Sequence, residues 1–232
     1  RGRLKSHPMS AAPPTDPTSA TMPPRFDTAF CHQLEALFRW RRDVRRFRVE
    51  PIEVEVLNAL LALAALAPSV GNSQPWRFAV VTDPERRAAV RREFARCNHA
   101  ALAGYAAERQ ALYARLKLEG LDRAPVQLAV FADTATSLGS GLGQQTMPET
   151  LAYSVVGAVH ALWLAARAHG IGMGWVSILD PGRVCTILET PSAWKLIAYL
   201  CIGYPEEEHL DPELERHGWQ ARVDVGRFVV HR

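Results

Sequence analysis

At residues 41–47 the chain reads Arg41-Arg42-Asp43-Val44-Arg45-Arg46-Phe47, so that four arginines surround one aspartate between two helical patterns. Guanidinium groups bind phosphate oxygens two at a time because their planar fork matches the oxyanion. The same residues could coat a solvated helix end, where the aspartate would only neutralise its neighbours. Further on, Ala67-Pro68-Ser69-Val70-Gly71-Asn72-Ser73-Gln74-Pro75-Trp76 forms a proline-bounded stretch of small and amide side chains. The two stretches together favour a ligand site.

Length and charge limit the class of protein. A chain of 232 residues is long enough for one substantial core, so we expect one globular domain. Only Lys5, Lys117 and Lys195 are lysines, and the other basic residues are arginines spread over the whole length, with a net charge of +3. Such a spread does not predict a basic stripe for nucleic acid.

The cysteines give no sign of a metal site or a disulfide framework. Cys31, Cys97, Cys185 and Cys201 are far apart and have no histidine at metal-ligand spacing, so we expect buried free thiols in a reducing compartment and no bound metal. No run reaches the roughly 20 apolar residues of a membrane span, and no secretory signal is evident. Cytoplasmic location without a membrane partner is the expectation.

The N-terminal half reads as an arm followed by helices and strands. Residues 1–24 are rich in proline and predict a disordered arm, whereas 25–232 predict one domain. Apolar spacing predicts a helix over 27–40 that delivers the arginine stretch, and a second helix from Pro51 that ends before Pro68. The following patterns predict a strand at 77–82, a helix at 84–94, a longer and partly exposed helix at 98–123, and a strand at 127–132.

The C-terminal half contains an unusually apolar helix. The glycine-rich span 137–145 lacks periodicity and predicts a loop that could cover a site, as could 98–123. Residues 149–169 are apolar on nearly every face, which indicates either a central core helix or a subunit interface, and we favour a homodimer. Strands are predicted at 174–178 and 195–203. A last apolar strand at 225–230 has no hairpin mate and is expected to reach a partner subunit.

With those residues in hand, the chain resembles the flavin-binding nitroreductase family over nearly everything after the arm. The pattern R-R-S-x-R-x-F, then A-P-S-x-x-N-x-Q-P-W, then a G-x-G strand and G-Y-P, occurs in order at Arg41–Phe47, Ala67–Trp76, Gly172–Ser177 and Gly203–Pro205. Each motif is weak alone, but the ordered set is specific. The resemblance implies an α+β fold with a mostly antiparallel central sheet flanked by helices, and a homodimer with FMN at the subunit interface.

Two departures point to a branch that destroys its flavin. Asp43 stands where ordinary nitroreductases usually have serine, and Ser177 lies in the segment that passes the reactive edge of the flavin. Members of this branch fragment reduced FMN with O2 to 5,6-dimethylbenzimidazole, the lower ligand of cobalamin, and erythrose 4-phosphate. The resemblance therefore implies FMNH2 as a consumed substrate, O2 as co-substrate, and a separate NAD(P)H-dependent flavin reductase as partner.

The resemblance also implies roles for the residues singled out above. Asp43 is a candidate general base or proton shuttle near the ribityl chain, and Ser177 would steer the reaction near flavin N5 toward fragmentation. The predicted phosphate ligands are Arg41, Arg42, Arg45 and Arg222. The predicted ligands of the ribityl chain and pyrimidine edge are Ser69, Asn72 and Gln74.

Each role has a simpler alternative. Asp43 could only neutralise its arginines, Ser177 could be an ordinary strand hydroxyl, and the Ser69–Gln74 loop could satisfy its own backbone. Two other functions also stay open: an NAD(P)H-dependent FMN nitroreductase or flavin oxidoreductase that keeps its flavin, and a non-catalytic flavin carrier.

Overall fold

The structure, a computed structural model, describes residues 23–114, Leu116 and residues 120–232. The predicted arm at 1–24 lies outside the described residues except for its last two positions. Within them, the element order places seven α-helices around four strands.

A four-stranded antiparallel sheet forms the centre of the molecule. From one edge of the sheet to the other, the neighbouring strands lie in the order β1-β2-β4-β3. The strands are β1 (Trp76–Val80), β2 (Val126–Asp133), β3 (Gly172–Val176) and β4 (Trp194–Gly203). The predicted α+β fold with an antiparallel sheet is thus confirmed, although β1 and β3 each begin one or two residues earlier than the patterns indicated.

Helices cover both faces of this sheet. Alternate residues of β2 point to opposite faces, so that Leu128 and Val130 join one core and Ala129 and Phe131 the other. The first core packs against α2 and α5, and the second against α3 and α6. The helices are α1 (Thr28–Trp40), α2 (Val54–Ala64), α3 (Pro84–Ala103), α4 (Ala107–Tyr113), α5 (Thr150–Ala168), α6 (Pro181–Leu188) and α7 (Glu213–Arg216).

Three predicted elements differ from the structure. The helix predicted from Pro51 begins only at Val54, and the predicted single helix at 98–123 is wrong because α3 continues through this region to Ala103 before Gly104 ends it. Asn98 does not interrupt α3, since its Oδ1 accepts a 2.7 Å hydrogen bond from the Tyr113 hydroxyl. The short α4 then follows.

The predicted strand at 225–230 is also wrong. Residues Val225–Phe228 form a single 3₁₀ turn, which Asp224 caps by accepting a 2.8 Å hydrogen bond from the backbone of Gly226. Asp and Gly at these positions favour a local turn over sheet pairing. The apolar side chains of this turn remain exposed within one subunit.

None of the four cysteines forms a disulfide with another described residue, and only Cys201 among them is buried. Cys31 is exposed on α1, and Cys97 and Cys185 are partly exposed on α3 and α6. The expectation of four buried thiols was therefore wrong, because widely spaced cysteines carry no periodicity that would place them in the core.

Helix α5 is central to both the core and the surface. By length and composition alone, its 19 residues could cross a membrane, as those of a buried core helix also could. No apolar run of this length was found from the sequence. One face, including Val155 and Leu162, is fully buried against the sheet. The opposite face exposes Tyr153 and Val156, and α1 beside it has no buried residue. The described subunit therefore leaves a broad apolar surface over α1 and α5.

Candidate active site

The arginine stretch runs as an extended segment along the free edge of β3. Asp43 pairs with Met173 in a parallel bridge, and the Val44 amide donates a 3.1 Å hydrogen bond to the Met173 carbonyl. Phe47 then forms an antiparallel bridge with Pro205 at the end of β4. The sheet edge thereby fixes the direction in which each side chain of residues 43–47 points.

The G-x-G motif of β3 exists because this segment approaches so closely. A Cβ on Gly172 would lie 2.8 Å from Cγ2 of Val44, and a Cβ on Gly174 would collide with the Val44 carbonyl oxygen. Only glycine lets two backbones approach in this way. The first and third motifs of the sequence pattern are therefore parts of one structural unit.

Asp43 makes two hydrogen bonds that secure this unit. Its Oδ1 accepts from the backbone N–H of Trp175 at 2.9 Å, and its Oδ2 accepts from Nε of Arg45 at 2.9 Å. The Arg45 side chain is 9% exposed and that of Asp43 is 34% exposed. The neutralising role considered as an alternative for Asp43 is therefore present, and a third of the carboxylate side chain still faces outward.

Three other arginines meet at a separate groove. Arg41, Arg42 and Arg222 line an open groove of about 720 Å³ between α1, α5 and the C-terminal segment, a size within the usual range of about 300–1,000 Å³ for ligand sites. The guanidinium of Arg41 stacks 4.7 Å above the ring of Trp163 on α5. The indole Nε1 of Trp163 donates to the carbonyl of Arg42 at 3.1 Å, which fixes this part of the segment.

Carboxylates of Glu35, Asp211 and Glu215 also line this groove, and the last two act to raise the pKa of Arg42, but none of the three forms an ion pair with Arg41, Arg42 or Arg222 among the described residues. Arg42 donates to the carbonyl oxygens of Leu210 and Arg41 rather than to a carboxylate. Burial lowers the pKa of Arg42, and the charges of Arg41 and Arg222 act in the same direction. Burial also lowers the pKa of Arg41, with Arg222 adding to the effect against the attraction of Asp43. An anion placed here would relieve this mutual repulsion.

The structure therefore divides the predicted phosphate ligands into two groups. Arg41, Arg42 and Arg222 face one groove, whereas Arg45 turns to Asp43 and β3. Their partners explain the division, because Trp163 stacks on Arg41 whereas Asp43 binds Arg45. The fourth arginine of the stretch, Arg46, pairs with Glu207 and Glu213 on the C-terminal segment.

The predicted ribityl and pyrimidine ligands lie in the loop between α2 and β1. The Ser69 hydroxyl accepts a 3.1 Å hydrogen bond from the backbone of Gln74, so it stabilises its own loop. Asn72 and Gln74 are exposed and have positive φ angles of 53° and 44°. Non-glycine residues in this conformation are strained, and such strain is concentrated at functional sites.

The glycine-rich loop packs directly on this strained loop. Gly71 has φ of 55°, and a Cβ there would lie 2.6 Å from the carbonyl oxygen of Leu142. Ser73 is fully buried beneath, and its hydroxyl has no hydrogen-bond partner among the described residues. The backbone N–H of Val70 donates to Oγ of Ser154 on α5 at 3.0 Å. Because Ser154 precedes Trp163 by nine residues, the loop and the arginine groove are separated by ~13 Å along α5.

Ser177 lies immediately after β3 and is exposed. It follows Trp175, whose backbone binds Asp43, by two residues. The two predicted catalytic residues therefore lie at the same edge of the sheet. Asp43 lies in the extended segment beside β3, and Ser177 follows the C-terminal end of β3. No group of three or more histidine, cysteine or acidic side chains in the described part of the chain is placed to hold a metal ion.

A comparison with models of protein families identifies the family to which this fold and site belong. Residues 38–204, which include the arginine stretch and all four strands, match the model described as the nitroreductase family. The chain belongs to the nitroreductase family. A solved relative with this fold is iodotyrosine deiodinase bound to FMN and 3-iodo-L-tyrosine, with a TM-score of 0.67 and 28% identity over 86% of this chain and 97% of that one.

Within the nitroreductase family, the chain is similar to 5,6-dimethylbenzimidazole synthases. It is 62% identical to that of Rhodospirillum rubrum, over 86% of this chain and 94% of the relative. It is 47% identical to that of Rhodobacter capsulatus, over 85% and 96%. The predicted resemblance to 5,6-dimethylbenzimidazole synthases and the prediction of an oxidoreductase are confirmed, and the nitroreductase alternative is not better supported.

The donor set fits a flavin mononucleotide. Three arginines without ion-pair partners among the described residues suit a phosphate. Exposed amides at Asn72 and Gln74 suit the alternating donors and acceptors of a flavin ring. The chemistry of these side chains is thus compatible with the phosphate and the ring edge of FMN.

Sequence reasoning missed three participants in this site. Trp163 was assigned only to the apolar face of α5, although its ring and Nε1 hold Arg41 and Arg42. The backbone N–H of Trp175 and the carbonyl of Leu210 were also missed. Backbone groups leave no trace in side-chain patterns, and these partners are more than a hundred residues from the arginines.

Proposed function

We propose that this protein catalyses the oxygen-dependent fragmentation of reduced FMN to 5,6-dimethylbenzimidazole and erythrose 4-phosphate. The observation that carries the proposal is the pairing of Asp43 with β3 beside an arginine groove, within a chain 62% identical to a 5,6-dimethylbenzimidazole synthase. Reduced FMN is the substrate and O2 the co-substrate. When bound, the reduced flavin supplies the electrons for O2 and the carbon atoms of the product.

Arg41, Arg42 and Arg222 hold the phosphate in this proposal. Their charges repel one another in the groove, so a dianion there gains both hydrogen bonds and relief of repulsion. Arg45 has a different part, since it orients the Asp43 carboxylate through its Nε. The initial assignment of Arg45 as a phosphate ligand stays a prediction that a binding titration can test.

Asp43 and Ser177 act at the other end of the substrate in this proposal. The exposed third of the Asp43 side chain is able to accept a proton from the ribityl chain, while Arg45 and the Trp175 amide keep the carboxylate oriented. The Ser177 hydroxyl offers a hydrogen bond near flavin N5 and favours fragmentation over release of peroxide. Asn72, Gln74 and Ser69 bind the ribityl chain and the pyrimidine edge.

We further propose that the enzyme works as a homodimer with FMN at the subunit interface. Exposed apolar residues of α1 and α5 adjoin the arginine groove, so a second copy that covers them would also enclose the substrate. The α3–α4 region and the loop at 137–145 are the candidate covers. Enclosure would exclude bulk water from the reacting flavin.

In this proposal the enzyme works in the cytoplasm, where an NAD(P)H-dependent flavin reductase supplies its reduced FMN. The proposed reaction consumes one FMN per turnover, so a separate protein must provide each molecule of reduced FMN. Neither zinc nor another metal is required in this scheme.

The decisive experiment mixes the purified protein with chemically reduced FMN in air and analyses the products by mass spectrometry. We expect 5,6-dimethylbenzimidazole in amounts that exceed the protein, together with loss of total flavin. Recovery of all flavin as oxidised FMN would contradict the proposal and favour a flavin carrier. Consumption of NAD(P)H with intact flavin would favour a nitroreductase.

A further inference from the structure

The segment that follows α7 carries Arg222 to the arginine groove. It turns at Gly218, which has φ of +73°, and the Trp219 amide then donates a 2.8 Å hydrogen bond to the Leu214 carbonyl. Arg222 is only three residues further on, and three residues span at most ~11 Å. The position of Trp219 therefore limits where Arg222 can reach.

Trp219 is held by side chains from a different part of the fold. Its ring meets the edge of Tyr105 at 5.5 Å and 88°, and lies 6.2 Å from the ring of Tyr113. The guanidinium of Arg109 stacks 4.9 Å from the indole, and its Nη1 donates to the Trp219 carbonyl at 3.1 Å. These three residues belong to α4 and the turn before it, so we call this group the α4 aromatic clamp.

Arg222 itself has little else to hold it. Its backbone N–H makes one long hydrogen bond, 3.4 Å, to Oε1 of Glu215, and its side chain forms no ion pair with the described residues. The residue is exposed, and the groove it faces already contains the charges of Arg41 and Arg42. Asp211 and Glu215 also line the groove, but neither forms an ion pair with the Arg222 side chain among the described residues, so repulsion by Arg41 and Arg42 favours movement of Arg222 toward solvent.

We propose that Trp219 is a positioning residue that keeps Arg222 at the phosphate end of the groove by means of the α4 aromatic clamp. The inference rests on the proposed function, because it assigns the phosphate of FMN to that groove. It also couples two regions, since displacement of α4 releases the arginine. Opening of the α3–α4 cover would then loosen the phosphate and allow the sugar phosphate product to leave.

The test is a titration of dithionite-reduced FMN and reduced riboflavin by calorimetry without oxygen, which prevents turnover. Riboflavin lacks the phosphate and reports on every other contact. We expect Trp219→Ala to weaken FMN binding about tenfold and to leave riboflavin binding unchanged. Trp219→Phe, which keeps an aromatic ring in the clamp, should restore most of the affinity for FMN.

A double-mutant cycle separates positioning from general damage. Because Trp219 acts through Arg222, adding Trp219→Ala to Arg222→Ala should cause no further loss of FMN affinity. Equal loss for FMN and riboflavin, or additive losses in the cycle, would overturn the clamp. If Trp219→Ala does not fold, Arg109→Gln at an exposed position should give a smaller shift with the same preference for FMN.

Failure of the clamp can be told from failure of the proposed site. If Arg41→Ala and Arg222→Ala lower FMN affinity but Trp219→Ala and Arg109→Gln do not, the clamp alone is wrong. If Arg41→Ala and Arg222→Ala leave the ratio of FMN to riboflavin affinity unchanged, the phosphate does not bind in this groove, and both proposals lose their basis.

Discussion

The backbone N–H of Trp175 donates a 2.9 Å hydrogen bond to Oδ1 of Asp43, although 132 residues separate the two in the chain. The bond fastens the arginine segment to β3 and places a carboxylate beside the strand that leads to Ser177. Asp43 thus has a structural part and, in our proposal, a chemical one. The two parts make different demands on the side chain and can be separated by substitution.

Asp43→Asn should separate these parts. Asparagine keeps an oxygen that can accept from the Trp175 amide, but its NH2 group cannot accept from Nε of Arg45, and it cannot take up a proton as a base. We expect a folded protein that binds reduced FMN and forms benzimidazole about 10²–10⁴-fold more slowly. Asp43→Ala should lower the melting temperature further than Asp43→Asn does, because the Trp175 amide then loses its acceptor as well. Unchanged product formation by Asp43→Asn would leave the aspartate with its structural part alone.

Ser177→Ala should alter the outcome of the oxygen reaction rather than binding. The exposed hydroxyl lies beyond the end of β3, so its removal leaves no buried group unsatisfied and should not change the melting temperature. We expect FMN binding to persist while the yield of benzimidazole falls and the yield of peroxide rises, both measured per flavin oxidised. Ser177→Thr, which keeps the hydroxyl, is the matched control and should retain most of the product.

Gly174 tests the close approach of the arginine segment to the sheet. A Cβ at this position would collide with the Val44 carbonyl oxygen, which belongs to backbone and cannot rotate away. We expect Gly174→Ala to destabilise the fold by ~1–3 kcal/mol or more and to weaken FMN binding. Gly104→Ala is the control, since a Cβ there would lie at an ordinary 3.4 Å from the Ala101 carbonyl oxygen and its φ is −80°. Equal melting temperatures for both variants would argue against the packing described.

The sequence predicted the sheet and most helices because their apolar periodicities are strong and local. Helix α5 and strand β2 were both recognised, since each buries a continuous apolar face. The region after Phe94 failed because its alanine-rich continuation, which contains Asn98 and His99, carries little apolar periodicity. The turn at 225–228 failed because its apolar residues suggested a strand, whereas Asp224 and Gly226 determine the backbone.

The site was predictable in composition but not in arrangement. The sequence motifs identified the arginines and the Ser69–Gln74 loop, but nothing in residues 41–47 distinguishes the role of Arg41 from that of Arg45. That distinction depends on Trp163, which stacks on the first, and on Asp43, which binds the second. These contacts form only when distant elements meet, so they become visible in the fold alone.

Glu93 gives the fold a specific dependence on pH. It is buried on α3, and hydrogen bonds from Arg96 together with the charge of Arg183 on α6 lower its pKa from 4.5 to about 2. A carboxyl whose pKa is lower in the folded state stabilises the fold above its unfolded pKa, and this contribution is lost as the pH falls from 4.5 toward 2. We expect the melting temperature of the wild type to drop across that interval. Glu93→Gln should start lower and show a shallower drop; parallel curves would contradict the ionised, hydrogen-bonded state of Glu93.

A substitution at Val156 tests whether a second subunit covers the outer face of α5. It lies on the outer face of α5 and is 42% exposed within one subunit, beside Tyr153, which is 58% exposed. A buried charge without a partner is costly, so Val156→Glu should dissociate a dimer that covers this face while leaving the subunit folded. Val80→Glu is the matched control, because Val80 is 40% exposed on the edge strand β1 and belongs to neither α1 nor α5. Analytical ultracentrifugation should show dimers for the wild type and Val80→Glu and monomers for Val156→Glu, with weaker FMN binding by the monomer. A wild-type monomer would contradict the dimer, and a Val156→Glu dimer would show that the second copy does not cover this face of α5.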